Sequence, residues 1–520
     1  MKPPTSGVPS PDRGSASLPP GPAPLGPATT GDVTGANSGV GADIPDAEGE
    51  WTYIDLPSAL RLAGAQNGDI MIAYQRTLAS TAAMQLAAAQ ALPNLNGGGN
   101  FDGHSGALQQ ASGNILNVTR DSFYVGAGGN AVAAGTVSVP GIQYNLNLSD
   151  TIFNYLVSRP QLDRTRWLAQ ATTNDVQLQV CEAYGELLRA EGRRAIVRQS
   201  RDNAAEVARV TANFARIGQG RDADAQRAAT ELERRQADLL ESESGVLAAS
   251  GVLVQRLNLQ NSIRLRTAEP WIVPRSIVPD PIPLNELVAT AVYQRPELAA
   301  QRAAIHAALL RLQSSRLLLF SPQILAGYSA GTFGGGSYLI ANDPGASGAP
   351  PGTPRFGDFA PRADVDAAMY WSLRNLGFGN RAMIETARAR LQIAELEQLV
   401  ELNRVREQVA EAYARKQTQL AVLLLRQQAV ETGQAAFDQD LRRVRSFEGR
   451  PIEVLESLRL AFEAREAYVN AIVDYNVAQF ALYTALGRPP IDLLVRPTSA
   501  AVPNSPRPPS AKPSTAGGQP

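Results

Sequence analysis

Cysteine occurs once and histidine twice in the 520 residues. One Cys excludes an intramolecular disulfide framework. His104 and His306 leave metal and acid–base chemistry few candidates. No apolar run approaches the ~20 residues of a transmembrane helix, which leaves a soluble placement, a peripheral role, or a β-barrel with its much weaker signal. Excess charge of one sign is also missing. The net charge is −1 and 19% of residues are charged, so there is no basic field for nucleic acid and no general acidic tail. Residues 1–50 lack the apolar region of a secretory signal peptide, so an exported chain is expected to carry its signal upstream of Met1. They are rich in Pro, Gly, Ser and Ala, as are residues 491–520, and both segments read as disordered by composition.

Catalytic patterns are scarce. Gly126-Ala127-Gly128-Gly129-Asn130-Ala131 is a loose dinucleotide fingerprint with Asp150 about 20 residues on, but Gly135, Pro140 and Gly141 stand where the helix must follow. His104 lies in a polar loop and His306 on an Ala/Leu-rich helix. Neither has a second His, a Cys or a nucleophile at catalytic spacing. No enzyme, cofactor or metal site is expected.

What the chain does contain is a tandem repeat. Residues 180–184 (VCEAY) match 409–413 (VAEAY), Gly220-Arg221-Asp222 matches Gly449-Arg450-Pro451, and Leu257-Asn258 matches Leu486-Gly487, each pair 229 positions apart. An offset without drift over so long a span marks a duplication. The first repeat covers residues 51–268 and the second 284–490, joined by a Pro-rich linker at 269–283.

Within each repeat the hydrophobic period changes in the same order. An Ala-rich helix leads to Pro93 in one half and Pro322 in the other. The period then falls from about 3.6 to 2, as in Ile324, Ala326, Tyr328 and Ala330. A Gly-rich polar loop is expected at 102–134 and at 332–362. Each loop leads to a second alternating stretch, Ile142 to Leu148 and Ala363 to Leu373, so each half holds one strand hairpin. Long Pro-free helices are expected over about 160–217 and 381–446, roughly 90–100 Å each at ~1.5 Å per residue. Both break at Gly220 or Gly449 and return as helices to about 258 and 487. In the second return helix two sets of apolar residues recur every seven, Leu455, Phe462, Val469 and Ala461, Tyr468, Tyr475, Leu482, which asks for coiled-coil packing on the preceding helix.

The fold class is therefore mainly α with β-hairpins, two long helical hairpins and four strands per chain. Four strands cannot close a barrel, and open edges are not tolerated in lipid. Three copies supply twelve strands, a feasible transmembrane barrel.

With the doubled unit, the helix starts Asn67-Gly68-Asp69-Ile70 and Arg295-Pro296-Glu297-Leu298, the Leu92-Pro93-Asn94-Leu95 entry to a strand, and the turn of residues 449–456 (GRPIEVLE), the chain resembles the TolC-like outer membrane efflux family over about residues 51–490. The resemblance implies a homotrimer with a twelve-stranded barrel in outer membrane lipid, continued as an α-barrel through the periplasm. It also implies a periplasmic adaptor and an inner-membrane pump as partners at the tip made by the helical turns.

By the same resemblance Arg450, Glu453 and Glu456, with Asp222 and Asp224 of the first turn, are candidates for the channel entrance. Gly218, Gly220, Arg221, Phe447, Gly449 and Pro451 are candidates for contact with the adaptor. The carboxylates also fit ordinary helix starts, and Arg450 a solvated turn. Tyr124, Tyr328 and Trp371, with Phe123, Tyr338 and Phe378, lie in or beside the strands and fit an interfacial aromatic belt. The competing reading is a soluble coiled-coil scaffold or adaptor. Amphipathic hairpins placed at the same point of both repeats speak against it, because a scaffold has no use for them.

Overall fold

The structure is a computed structural model and describes residues 51–109, 111–130, 138–269, 272–340, 359–446 and 448–492. Two pairs of short helices open the repeats: α1 Leu56–Gln66 with α2 Gly68–Ala89, and α5 Leu284–Gln294 with α6 Pro296–Leu317. Two long hairpins close them: α3 Leu148–Arg216 with α4 Asp222–Arg256, and α7 Phe378–Arg445 with α8 Pro451–Ala485. The paired lengths are 11 and 11, 22 and 22, 69 and 68, 35 and 35 residues, so the duplication reaches the element boundaries.

Local chemistry explains the helix ends. Asp55 caps α1 by accepting from the Ser58 N–H at 3.0 Å, and Asn67 caps α2 by accepting from Asp69 N–H at 2.9 Å. The Asn67 amide also donates to the Arg256 carbonyl at the end of α4. In the second repeat the Arg295 guanidinium does the same for the Ala485 carbonyl at the end of α8, at 2.9 Å in both cases. One orphan carbonyl is thus satisfied twice by different chemistry. Pro160, expected at the start of the first long helix, is buried inside it instead, twelve residues after Leu148.

In α8 the buried residues Val454, Leu458, Ala461, Ile472, Tyr475 and Leu482 lie along one seam, each separation a sum of fours and threes. The expected set Ala461, Tyr475 and Leu482 belongs to it, while Phe462 turns away to pack under the Arg235 guanidinium of α4. The long hairpins also meet each other: Arg189 of α3 pairs with Asp474 of α8 at 2.7 Å, and Arg193 with Glu466 at 3.1 Å. Near the turns Val207, Val210, Ala228, Phe437, Val444 and Val454 form one core drawn from all four helices.

A small parallel sheet, β1 Trp51–Ile54 on β7 Arg264–Thr267, packs Ile54 and Leu265 into the core beside Val180 and Tyr184. Nothing in the sequence pattern marks strands at these positions. The larger sheet holds β2 Asn94–Leu95, β3 Gly97–Gln109, β4 Ile115–Asn130, β5 Ser138–Pro140, β6 Ile142–Asn147, β8 Gln323–Ile340 and β9 Ala360–Tyr370. The stretches 102–134 and 332–362, expected as loops, are therefore strand over most of their described length. The Gly-rich composition that suggested loops is compatible with a sheet whose neighbours sit very close: a Cβ at Gly331 would lie 2.8 Å from the Tyr124 hydroxyl. One edge of β8 is covered by β6 at residues 323–328 and by β4 at 330–340, and β9 covers the other edge. With β2 and β3 outermost, a cut through the shared part of the sheet still meets four strands.

Candidate functional site

Two regions carry the candidate residues: the helical turns and the two faces of the large sheet. At the turns the repeat is kept down to single hydrogen bonds. Gly220 N–H donates to the Phe214 carbonyl, and Gly449 N–H to the Arg443 carbonyl, both at 3.0 Å. Arg221 and Arg450 take the same extended cap conformation at the start of the return helix. Gly218 supplies the left-handed φ of +73° that the first turn needs. Phe447 lies outside the described residues.

The acidic candidates find partners other than Arg450. Glu456 accepts from Arg459 at 2.6 Å, and this hydrogen bond holds its carboxyl below the ordinary carboxylate range. Glu453 lies 3.7 Å from Arg443 across the turn, and Asp224 pairs with Arg227 at 2.9 Å. Asp222 and Arg450 are exposed, and Arg450 makes no side-chain cap. Besides the apolar core near the turns, an ion pair joins the tips of the two hairpins: Arg445 of α7 to Glu206 of α3, 3.2 Å. Hydrogen bonds from Arg209 and then Arg445 hold the Glu206 carboxyl below its usual range. No spacing in the sequence brings residues 206 and 445 together.

Pairing register sorts the large sheet into two faces, because directly opposed residues of an antiparallel pair point the same way. Phe101, Val125, Ile142, Tyr328, Val365 and Met369 share one face, and all are exposed. The opposite face carries Asn100, Asp102, Gln143, Asn145, Asp364 and Asp366. Tyr328 is on the apolar face, and exposed Trp371 donates its indole N–H to the Phe320 carbonyl at 3.3 Å, beside the end of β9. Tyr124 departs from the expected belt. It points to the polar face, is fully buried over Gly331, and donates its hydroxyl to the Ala127 carbonyl at 2.9 Å. A period-2 pattern does not say which aromatic has a glycine opposite to lie on.

A further set of polar contacts straps the linker to the second repeat. Gln479 accepts from Ile277 and Val278 N–H, Asn476 accepts from Arg275 N–H at 2.7 Å, and buried Lys416 holds the Asp280 carboxylate. Gln479 stands between apolar Ala478 and Phe480, which is a signal in the sequence; Lys416 lies in the polar run Arg415 to Gln419, which gives none.

No protein-family model matches the chain, and no curated protein matches it in sequence. Solved structures match it in fold. The CmeC outer membrane channel of Campylobacter jejuni is similar with a TM-score of 0.64 at 14% identity, over 88% of this chain and 94% of that one. The outer membrane protein VceC of Vibrio cholerae gives 0.59 at 15% identity, over 83% and 96%. The open state of the MtrE outer membrane channel of Neisseria gonorrhoeae gives 0.58 at 17% identity, over 83% and 88%. The chain thus has the TolC-like fold of long helical hairpins with a strand region set between them.

Proposed function

We propose that the chain is the outer membrane exit duct of a tripartite efflux or type I secretion-like system, passing solutes from the periplasm to the exterior. The observation that carries this reading is the two-faced sheet. Its apolar face exposes Phe101, Val125, Ile142, Val365 and Met369 with no second layer over them among the described residues, a state that costs free energy in water and is favourable against lipid. The 18 residues of β8 exceed the ~9–11 that a tilted transmembrane strand needs. Three chains contribute twelve strands, the polar faces line the bore, and Tyr328 and Trp371 serve as belt residues. The fold shared with outer membrane channels supports the same assembly.

In this reading residues 51–268 and 284–490 are the two repeats, and the long hairpins build the periplasmic tunnel. The turns at Gly218, Gly220, Arg221, Gly449 and Pro451 meet a periplasmic adaptor working with an inner-membrane pump. Six turns per trimer place Glu453, Glu456, Asp222 and Asp224 around the entrance, where their repulsion is offset by Arg459, Arg443 and Arg227. The test is mass measurement in mild detergent together with planar-bilayer recording of the purified protein. A trimer that conducts ions is expected. A folded monomer, or a trimer without conductance, overturns the reading.

A further inference from the structure

At the end of β4, β5 pairs with it on the approach to β6. Gly128 pairs with Pro140 and Gly129 with Val139. Two independent contacts fix the side to which β5 turns. A Cβ built on Gly327 would lie 2.8 Å from Cγ of Pro140 and 3.9 Å from Cβ of Asp366, so Pro140 covers Gly327 on the polar face. The Asn100 side chain, on that same face, donates to the Gly129 carbonyl at 3.4 Å. Asn96 anchors the base: its N–H donates to the Gly141 carbonyl at 2.7 Å, its amide to the Pro140 carbonyl at 2.8 Å, and its carbonyl accepts from Gly128 N–H at 2.9 Å. Ser329 lies next along this face, between Gly327 under Pro140 and Gly331 under Tyr124, and only 2% of it is exposed.

A bulge from the sheet toward lipid would bring unpaired backbone groups into hydrocarbon. A bulge toward a water-filled bore does not. We propose that β5, paired to the end of β4, forms a constriction inside the barrel, with Val139 and Pro140 narrowing the bore at the height of Asp366, whose exposed carboxylate gives that level a preference for cations. The inference rests on the duct reading above. Its physical basis is that Asp366 pairs in register with Gly327, the residue that Pro140 covers, so wall and charge occur at one level. Three-fold assembly repeats both around one axis, and a ring of carboxylates at a narrow point biases permeation toward cations.

The native sequence favours a direct test. Its single thiol, Cys181, is 3% exposed, so an introduced cysteine reacts against a silent background. In planar bilayers, a positively charged methanethiosulfonate reagent applied to the V139C trimer is expected to remove current in discrete steps. The V365C trimer, substituted on the apolar face, should keep its full current. Gly327→Ala should push Pro140 away from the wall, further into the bore, and lower conductance, and Asp366→Asn should lower cation over anion permeability. V139C that stays unlabelled, or is labelled without loss of current, overturns the constriction and leaves the duct standing. Loss of current at V365C but not at V139C reverses the two faces and overturns the duct reading of the sheet with it. A wild-type protein that does not conduct overturns both. If Gly327→Ala does not fold, the V139C result decides alone.

Discussion

The strap over the second repeat makes an asymmetric prediction. Lys416 is 1% exposed, and its ammonium contacts the Asp280 carboxylate and, at 3.5 Å, the Val278 carbonyl. Asp280 is 37% exposed and also accepts from Gln417 at 3.3 Å. Removing the acid, as Asp280→Ala, strands a buried ammonium with one long carbonyl contact, a loss of about 3–5 kcal/mol. Removing the base, as Lys416→Met, fills the same space with an apolar chain and leaves a carboxylate that water reaches. That change costs about 1 kcal/mol or less. The double variant should resemble Lys416→Met, because the stranded charge is gone. Urea midpoints followed by circular dichroism, with slopes checked for constancy, measure the difference. If Lys416→Met destabilises as much as Asp280→Ala, the penalty lies in lost attraction rather than in desolvation, and the reasoning fails.

Glu206, held below the usual carboxylate range by Arg209 and Arg445, makes a contribution to tip stability that is complete above that range and lost as pH falls through its depressed value. Glu206→Gln should loosen the tip by roughly 1 kcal/mol at neutral pH and make no difference once the acid is protonated. Hydrogen exchange of residues 206–216 at two pH values checks this. Gly487 has φ +87°, and a Cβ there would lie 2.8 Å from the Gln294 carbonyl carbon, so Gly487→Ala should cost at least about 1–2 kcal/mol. Its repeat counterpart Asn258, φ +53°, tolerates Gly better, since Asn258→Gly loses only the exposed hydrogen bond to Gln66, and thermal midpoints should separate the two. Glu453→Gln with Glu456→Gln should reduce cation block of single-channel current. Arg459→Ser should disturb the entrance more than Arg450→Ser, because Glu456 is held by Arg459.

The duplication was readable from residues alone because it is written in turn chemistry. Gly220 and Gly449 stand where the chain turns back tightly on the end of the preceding helix, and a Cβ there would lie 3.1 Å from Ala215 N or 3.0 Å from Val444 N. The helix lengths followed from the absence of Pro, and the one helix boundary misplaced by it was Pro160, a residue that packing accommodates inside α3. Period 2 marks the strands but stops short of their ends, since Gly-rich segments have no side-chain period to follow. Local order along the chain thus determined the repeat, the hairpins and the two-faced sheet. Contacts between residues hundreds of positions apart decided the rest. Arg445 reaches Glu206 only because two repeats pack side by side. Tyr124 turns from the belt to the polar face because Gly331, two hundred residues on, leaves it a surface to lie on.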